Sequence, residues 1–92
     1  MNDQQIIDKA TRVLKELKLY NSNYIDISVL KEINDTLIEI EPEIKNRYSV
    51  MFSYELPDGR RGHTSVYVDR KSNKLISVIT KSNSYKIPEE LS

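Results

Sequence analysis

The sequence predicts an α+β domain, one amphipathic helix followed by an antiparallel meander of three or four strands, with the helix packed on one sheet face. Three observations lead there. Ile6, Ala10, Val13, Leu14 and Leu17 recur at helical spacing near the start of the chain. Residues 48–56 and 63–69 alternate between two sets of side chains with a period of two, as half-buried strands do. Between those runs lies Pro57-Asp58-Gly59-Arg60-Arg61-Gly62, in which Asp-Gly supplies the positive-φ position of a tight reversal. The 92 residues leave room for one hydrophobic core. A chain of that size buries only roughly 60 to 65% of the surface its unfolded form exposes, which favours a shallow surface site over an enclosed cavity.

The helical stripe is flanked by Asp8, Lys9, Arg12, Lys15, Glu16 and Lys18 on the other faces, giving an amphipathic helix of about four turns. Asp3 is the expected N-cap, and Lys15 and Lys18 put positive charge at the carbonyl end, where the helix dipole favours it. Asn21-Ser22-Asn23 forms the break. Residues 24–44 carry two patterns: Ile25, Ile27 and Val29 alternate as in a strand, while Val29, Leu30, Ile33 and Leu37 also fit a helical stripe. Strand is favoured, because Asn34-Asp35 is turn-prone and Leu37 to Glu41 alternates up to Pro42, a residue tolerated at sheet edges and ends.

Tyr48, Val50, Phe52, Tyr54 and Leu56 share one face of the next strand, with Ser49, Met51, Ser53 and Glu55 on the other. Thr64, Val66 and Val68 continue the inward face, and His63, Ser65, Tyr67 and Asp69 the outward one. Arg70 to Lys74 makes the following turn, and Leu75 to Thr80 is the last strand, with Ile76 and Val78 inward. The expected organisation is a single domain over residues 1–82 and a C-terminal tail over 83–92, which contains Pro88 and little periodicity. The sheet face away from the helix would then carry Met51, His63, Tyr67, Leu75 and Ile79 among serines, more apolar than a solvated face requires.

Fourteen basic residues balance fourteen acidic ones, which removes the long-range attraction that nucleic-acid and membrane-surface binders use. Residues 1–56 hold ten acids and seven bases, and residues 57–92 hold four acids and seven bases, so the chain is mildly dipolar. Without cysteine there is no disulfide, thiolate nucleophile or Cys-ligated metal. No run of about eighteen apolar residues is present, and the first residues have neither a basic n-region nor an apolar h-region. The chain as written reads as cytoplasmic; an exported protein whose signal was replaced by Met1 reads the same way.

The run Tyr48-Ser-Val-Met-Phe-Ser-Tyr, then Pro57-Asp-Gly, then Val66-Tyr-Val-Asp-Arg-Lys-Ser-Asn-Lys-Leu-Ile-Ser-Val, resembles the PepSY-type domain. That family belongs to the wider cystatin-like class, a helix wrapped by a curved antiparallel sheet. The resemblance covers roughly residues 5 to 80 in order of elements. Ser72-Asn73-Lys74 stands where members typically carry Thr-Gly and a following Lys or Glu, and Asn is the non-glycine residue that best tolerates the left-handed conformation. The resemblance implies a non-catalytic domain that acts by binding or inhibition, for instance of a hydrolase, commonly outside the cytoplasm. The same order of elements is similar to small cystatin-like or NTF2-like immunity proteins of bacterial toxin systems.

Candidate chemistry is sparse. His63 is the sole histidine, so any histidine-based relay must pass through it. Its one conceivable acid–base partner on the same strand face, Asp69, lies six residues away, about 20 Å along a strand, too far for a dyad. Glu39, Glu41 and Glu43 suit an edge that resists pairing better than a cation site, since they lack calcium-loop geometry. Arg60-Arg61 and Arg70-Lys71 with Lys74 belong to successive turns at opposite ends of the sheet. Tyr48 and Tyr54 fall inward. The expected role is therefore non-enzymatic, with no cofactor and no metal. The partner is another protein, or a second copy of the chain, met through Met51, Tyr67, Leu75, Ile79 and His63. The alternatives are an intracellular antagonist whose Glu39 and Glu41 meet a basic target, and a small NTF2-like enzyme built on His63 and Asp69.

Overall fold

The computed structural model describes residues 1–31 and 45–92. The strand and turn expected over Asn34–Pro42, and the Glu39, Glu41 and Glu43 edge, lie outside the described residues. One helix, α1 (Asp3–Glu16), packs on a five-stranded antiparallel sheet whose strands are neighbours in chain order: β1 (Tyr24–Leu30), β2 (Arg47–Glu55), β3 (Arg61–Asp69), β4 (Leu75–Ile79) and β5 (Ser84–Lys86).

Helix α1 starts one residue earlier than expected. Asn2, not Asp3, is the N-cap: its Oδ1 accepts from the Gln5 amide at 2.8 Å, and Gln5 Oε1 accepts from the Asn2 amide at 2.9 Å. This reciprocal pair satisfies two of the orphan donors, which a carboxylate at position 3 would not do alone. Asp3 becomes the first helical residue, where its charge suits the dipole, and forms a 3.0 Å ion pair with Lys31. At the other end Lys18 adopts φ 61°, its amide donates to the Lys15 carbonyl and the Leu19 amide donates to the Leu14 carbonyl. This is a Schellman closure with lysine where glycine is usual, so the helix stops before the Asn-rich break.

The stripe Ile6, Ala10, Val13 and Leu14 is buried against Tyr48, Val50, Phe52, Val66, Val68 and Val78, the inward face that the alternation predicts. The β2–β3 reversal is built as its residues require. The Gly59 amide donates to the Leu56 carbonyl across Pro57-Asp58, the Leu56 amide donates to the Arg60 carbonyl, and Gly59 sits at φ +88°. In the β3–β4 turn, Asp69 Oδ1 accepts from the amides of Lys71 and Ser72, and Asn73 takes the left-handed conformation at φ 58°, as its sequence predicts.

Two expectations fail in β4 and beyond. Val66 pairs with Val78 and Tyr67 with Ser77, but Val68 pairs with Leu75, so β4 carries one residue more than β3 opposite it. That bulge at Ile76 reverses the alternation. Leu75, expected on the outer face, is a core residue at 2% exposure, and Ile76, expected inward, is half-buried. The segment expected as a tail forms part of the fold. Ser84–Lys86 pairs with Ser77–Ile79 as a fifth strand, Ile87 enters the core, and the Leu75 amide donates to the Ser92 carbonyl at 3.4 Å.

Two consequences are measurable by urea unfolding. Leu75→Ala costs about 2–5 kcal/mol as a core truncation, whereas Ile79→Ala on the opposite face costs under about 1 kcal/mol; equal losses would contradict the bulge. Lys18→Gly relieves a left-handed lysine and raises stability by about 1 kcal/mol. A loss of stability in that variant would show that the Lys18 side chain contributes more than its backbone strain costs.

Candidate functional site

The outer sheet face is set by register. Met51 is paired with Ser65 and Ser65 with Ile79, so Met51 and Ile79 occupy one row across β2, β3 and β4. Tyr67 lies two residues further along β3, between Ser49 and Ser77. All three are half-buried. Ser28, opposite Met51, and Ser84, opposite Ile79, complete the row at its ends. Of the expected contact residues, the structure thus brings Met51, Tyr67 and Ile79 together in a field of serines. His63 lies on the same face near its hairpin end, and Leu75 is removed to the core.

Sequence reasoning missed one contact. Ser53 and His63 are cross-strand partners, and Ser53 Oγ lies 3.0 Å from His63 Nδ1. Ser53 is 2% exposed while His63 is exposed, so the hydroxyl holds the ring rather than facing solvent itself. Asp26 is the partner of Ser53 on β1, which places Asp26, Ser53 and His63 in one row. The row has the residue types of a hydrolase relay, but the serine hydroxyl meets Nδ1 and is sealed from substrate, the reverse of a nucleophile held by Nε2. The signal for the contact existed only in the hairpin register, which pairs position 53 with 63 once Leu56 and Arg60 close the loop.

Next to His63 is Gly62, which faces Tyr54 across the ladder. A Cβ built on Gly62 would stand 2.5 Å from the Tyr54 ring, so the absence of a side chain lets that ring lie over the strand. Tyr54 in turn packs 6.2 Å from the ring of Tyr24, which is 5.1 Å from Phe52 and 5.3 Å from Tyr20. An open cleft of about 340 Å³ is lined by Leu56, Arg60, Arg61, Gly62, His63 and Lys81. Arg60 is occupied within it: its Nε donates to Asp58 Oδ2 at 2.6 Å.

The second basic cluster is at the far end of the sheet, since Arg61 pairs with Glu55 and Asp69 with Arg47. His63 and Asp69, six residues apart on β3, do not converge. Arg70 donates to the carbonyls of Lys31 at 2.6 Å and Arg47 at 3.1 Å, tying β1 to β2. Tyr48 lies among these groups, its hydroxyl donating to Asn73 Oδ1 at 2.8 Å, with Lys31 and Arg70 near its ring. Lys9 Nζ donates to the Asn73 carbonyl, and burial lowers its pKa, as do Arg12 and Lys74. Arg70, Lys31 and Lys9 brace the turn. Among the described residues no cluster of His, Asp and Glu has metal-binding geometry, and no helix is long and apolar enough to cross a membrane.

The Tyr48 environment makes stability depend on alkaline pH. Burial is the largest influence and raises the phenol above its usual 10.0; Lys31 opposes it, Asp3 adds to it and Arg70 opposes it. The folded state therefore holds this proton longer than the unfolded chain. The contribution is complete below about pH 10 and is lost as pH rises through the folded value. Tyr48→Phe costs about 0.5–1.5 kcal/mol at neutral pH through the lost hydrogen bond. It also flattens the alkaline fall in urea-unfolding free energy; an unchanged alkaline slope would assign that fall to other tyrosines.

No family model, curated protein or solved structure matches this chain. The fold and the geometry of the outer face therefore carry the functional reading.

Proposed function

We propose that the domain is a non-catalytic protein-binding module that captures its partner on the sheet face opposite α1. The supporting observation is the placement of Met51, Tyr67 and Ile79 together, half-buried, on the sheet face opposite α1. Tyrosine and methionine supply contact area with adaptable packing, and the surrounding serines desolvate at modest cost and offer hydroxyls to a partner's polar groups. A rigid sheet presents them without the entropy loss of ordering a loop. Inhibition of a hydrolase, the role that the PepSY-type, cystatin-like resemblance implies, is one way such a face acts, by covering another protein's surface.

The test compares capture by the wild-type domain with capture by a Met51→Lys/Tyr67→Glu variant. The substitutions fall on the outer face, so the variant keeps a cooperative unfolding transition within about 1 kcal/mol of wild type. Loss of the captured protein with the fold intact supports this surface. Undiminished capture overturns it. Sedimentation of the two forms identifies the case in which the partner is a second copy of the chain.

A further inference from the structure

We propose that the cleft beside the β2–β3 hairpin is a binding site for a phosphate-type oxyanion, held by Arg61, His63 and Lys81. This goes beyond the protein-binding reading and uses none of the residues that carry it. Among the described residues, the cleft of about 340 Å³ is lined by four side chains that bear donors and by no carboxylate. Arg60 is engaged with Asp58, which leaves Arg61 and Lys81 as two cations without an ion pair among the described residues. The nearest acid by register is Glu55, opposite Arg61, and the pair is not in ion contact.

The histidine gives the cleft its specificity. Ser53 engages Nδ1 at 3.0 Å, so Nε2 is the ring nitrogen left for a ligand. Where the Ser53 hydroxyl donates to Nδ1, and equally where the ring is protonated, Nε2 carries a hydrogen and donates. Ser53 is 2% exposed and therefore fixes the ring from beneath. The three groups line the same cleft: Arg61 and His63 are alternate residues of β3 on the outer side, and Lys81 lies in the turn that follows β4. Two positive charges, with an Nε2 that donates whenever Ser53 donates to Nδ1 or the ring is protonated, suit a dianion with tetrahedral oxygens, which accepts charge-assisted hydrogen bonds from several directions at once.

The experiment is an NMR titration of the intact chain with inorganic phosphate at constant ionic strength, chloride replacing phosphate in the reference. The expected result is saturable movement of the Arg61, Gly62 and His63 amides and of the His63 ring signals, with a dissociation constant on the order of millimolar. Arg61→Ala/Lys81→Ala weakens binding at least about tenfold while the remaining sheet amides keep their positions. Ser53→Ala weakens it less and alters the His63 ring signals in the absence of phosphate. A phosphoserine peptide in a parallel titration separates sources: tighter binding than inorganic phosphate assigns the site to a protein-borne phosphate, and weaker binding to a free anion. A linear response without saturation, or saturation that the double variant retains, overturns the proposal.

Discussion

Burial of the stripe Ile6, Ala10, Val13 and Leu14 against Phe52 and its neighbours Val50, Val66, Val68 and Val78 is the constraint on which the rest depends. Each of the larger side chains contributes about 1.5–3 kcal/mol by leaving water, and this chain has one place to do it. Once that face is chosen, the period of two assigns every other strand residue to the opposite side. Met51 stands outward because Val50 and Phe52 stand inward, and Tyr67 because Val66 and Val68 do. The outer face is thus a by-product of core formation, available for recognition without a separate scaffold.

Most of the core was legible in the sequence. Helical spacing in residues 6–14 and alternation in 48–54 and 64–68 mark the buried residues directly, because burial pressure acts on each position separately. The β2–β3 loop was legible because Pro57, Asp58 and Gly59 have conformational demands that few backbones meet, and Asn73 because so few side chains accept a positive φ. What failed depends on counting between elements. Leu75 and Ile79 carry the same local signal, and only the extra residue at Ile76 sends one to the core and the other outward. The fifth strand was illegible because all three of its residues are exposed and its one buried neighbour, Ile87, has no periodic context. Asn2 and Asp3 are both good caps, and the choice between them rests on Gln5, three residues beyond the first.

Of the outer face, three of the five expected residues lie together, and the histidine lies nearby. Neutral total charge correctly describes the chain as a whole and conceals what happens at its ends. At one end Arg70, Lys31 and Lys9 are spent on carbonyls and on packing around Tyr48. At the other, the Arg61 and Lys81 side chains have no ion pair or hydrogen bond among the described residues. Basic residues at the two ends of the sheet therefore produce a structural brace in one case and an open cleft lined by cations in the other. The difference is made by which backbone carbonyls lie within reach, a property of tertiary structure that no charge count contains.

The bulge in β4 has a consequence for how this chain tolerates change. Side-chain alternation along a strand works as a reading frame with two phases, and the surplus residue at Ile76 is a frameshift between the turn and the remainder of the strand. Upstream, the phase is locked by the Asp69–Asn73 turn and downstream by Val78 in the core. Loss of Ile76 alone would leave an unbroken two-phase ladder, with Val68 opposite Leu75, Tyr67 opposite Ser77 and Val66 opposite Val78, and every other side chain would keep its side. The frameshift is carried by a single residue and is removable in a single step.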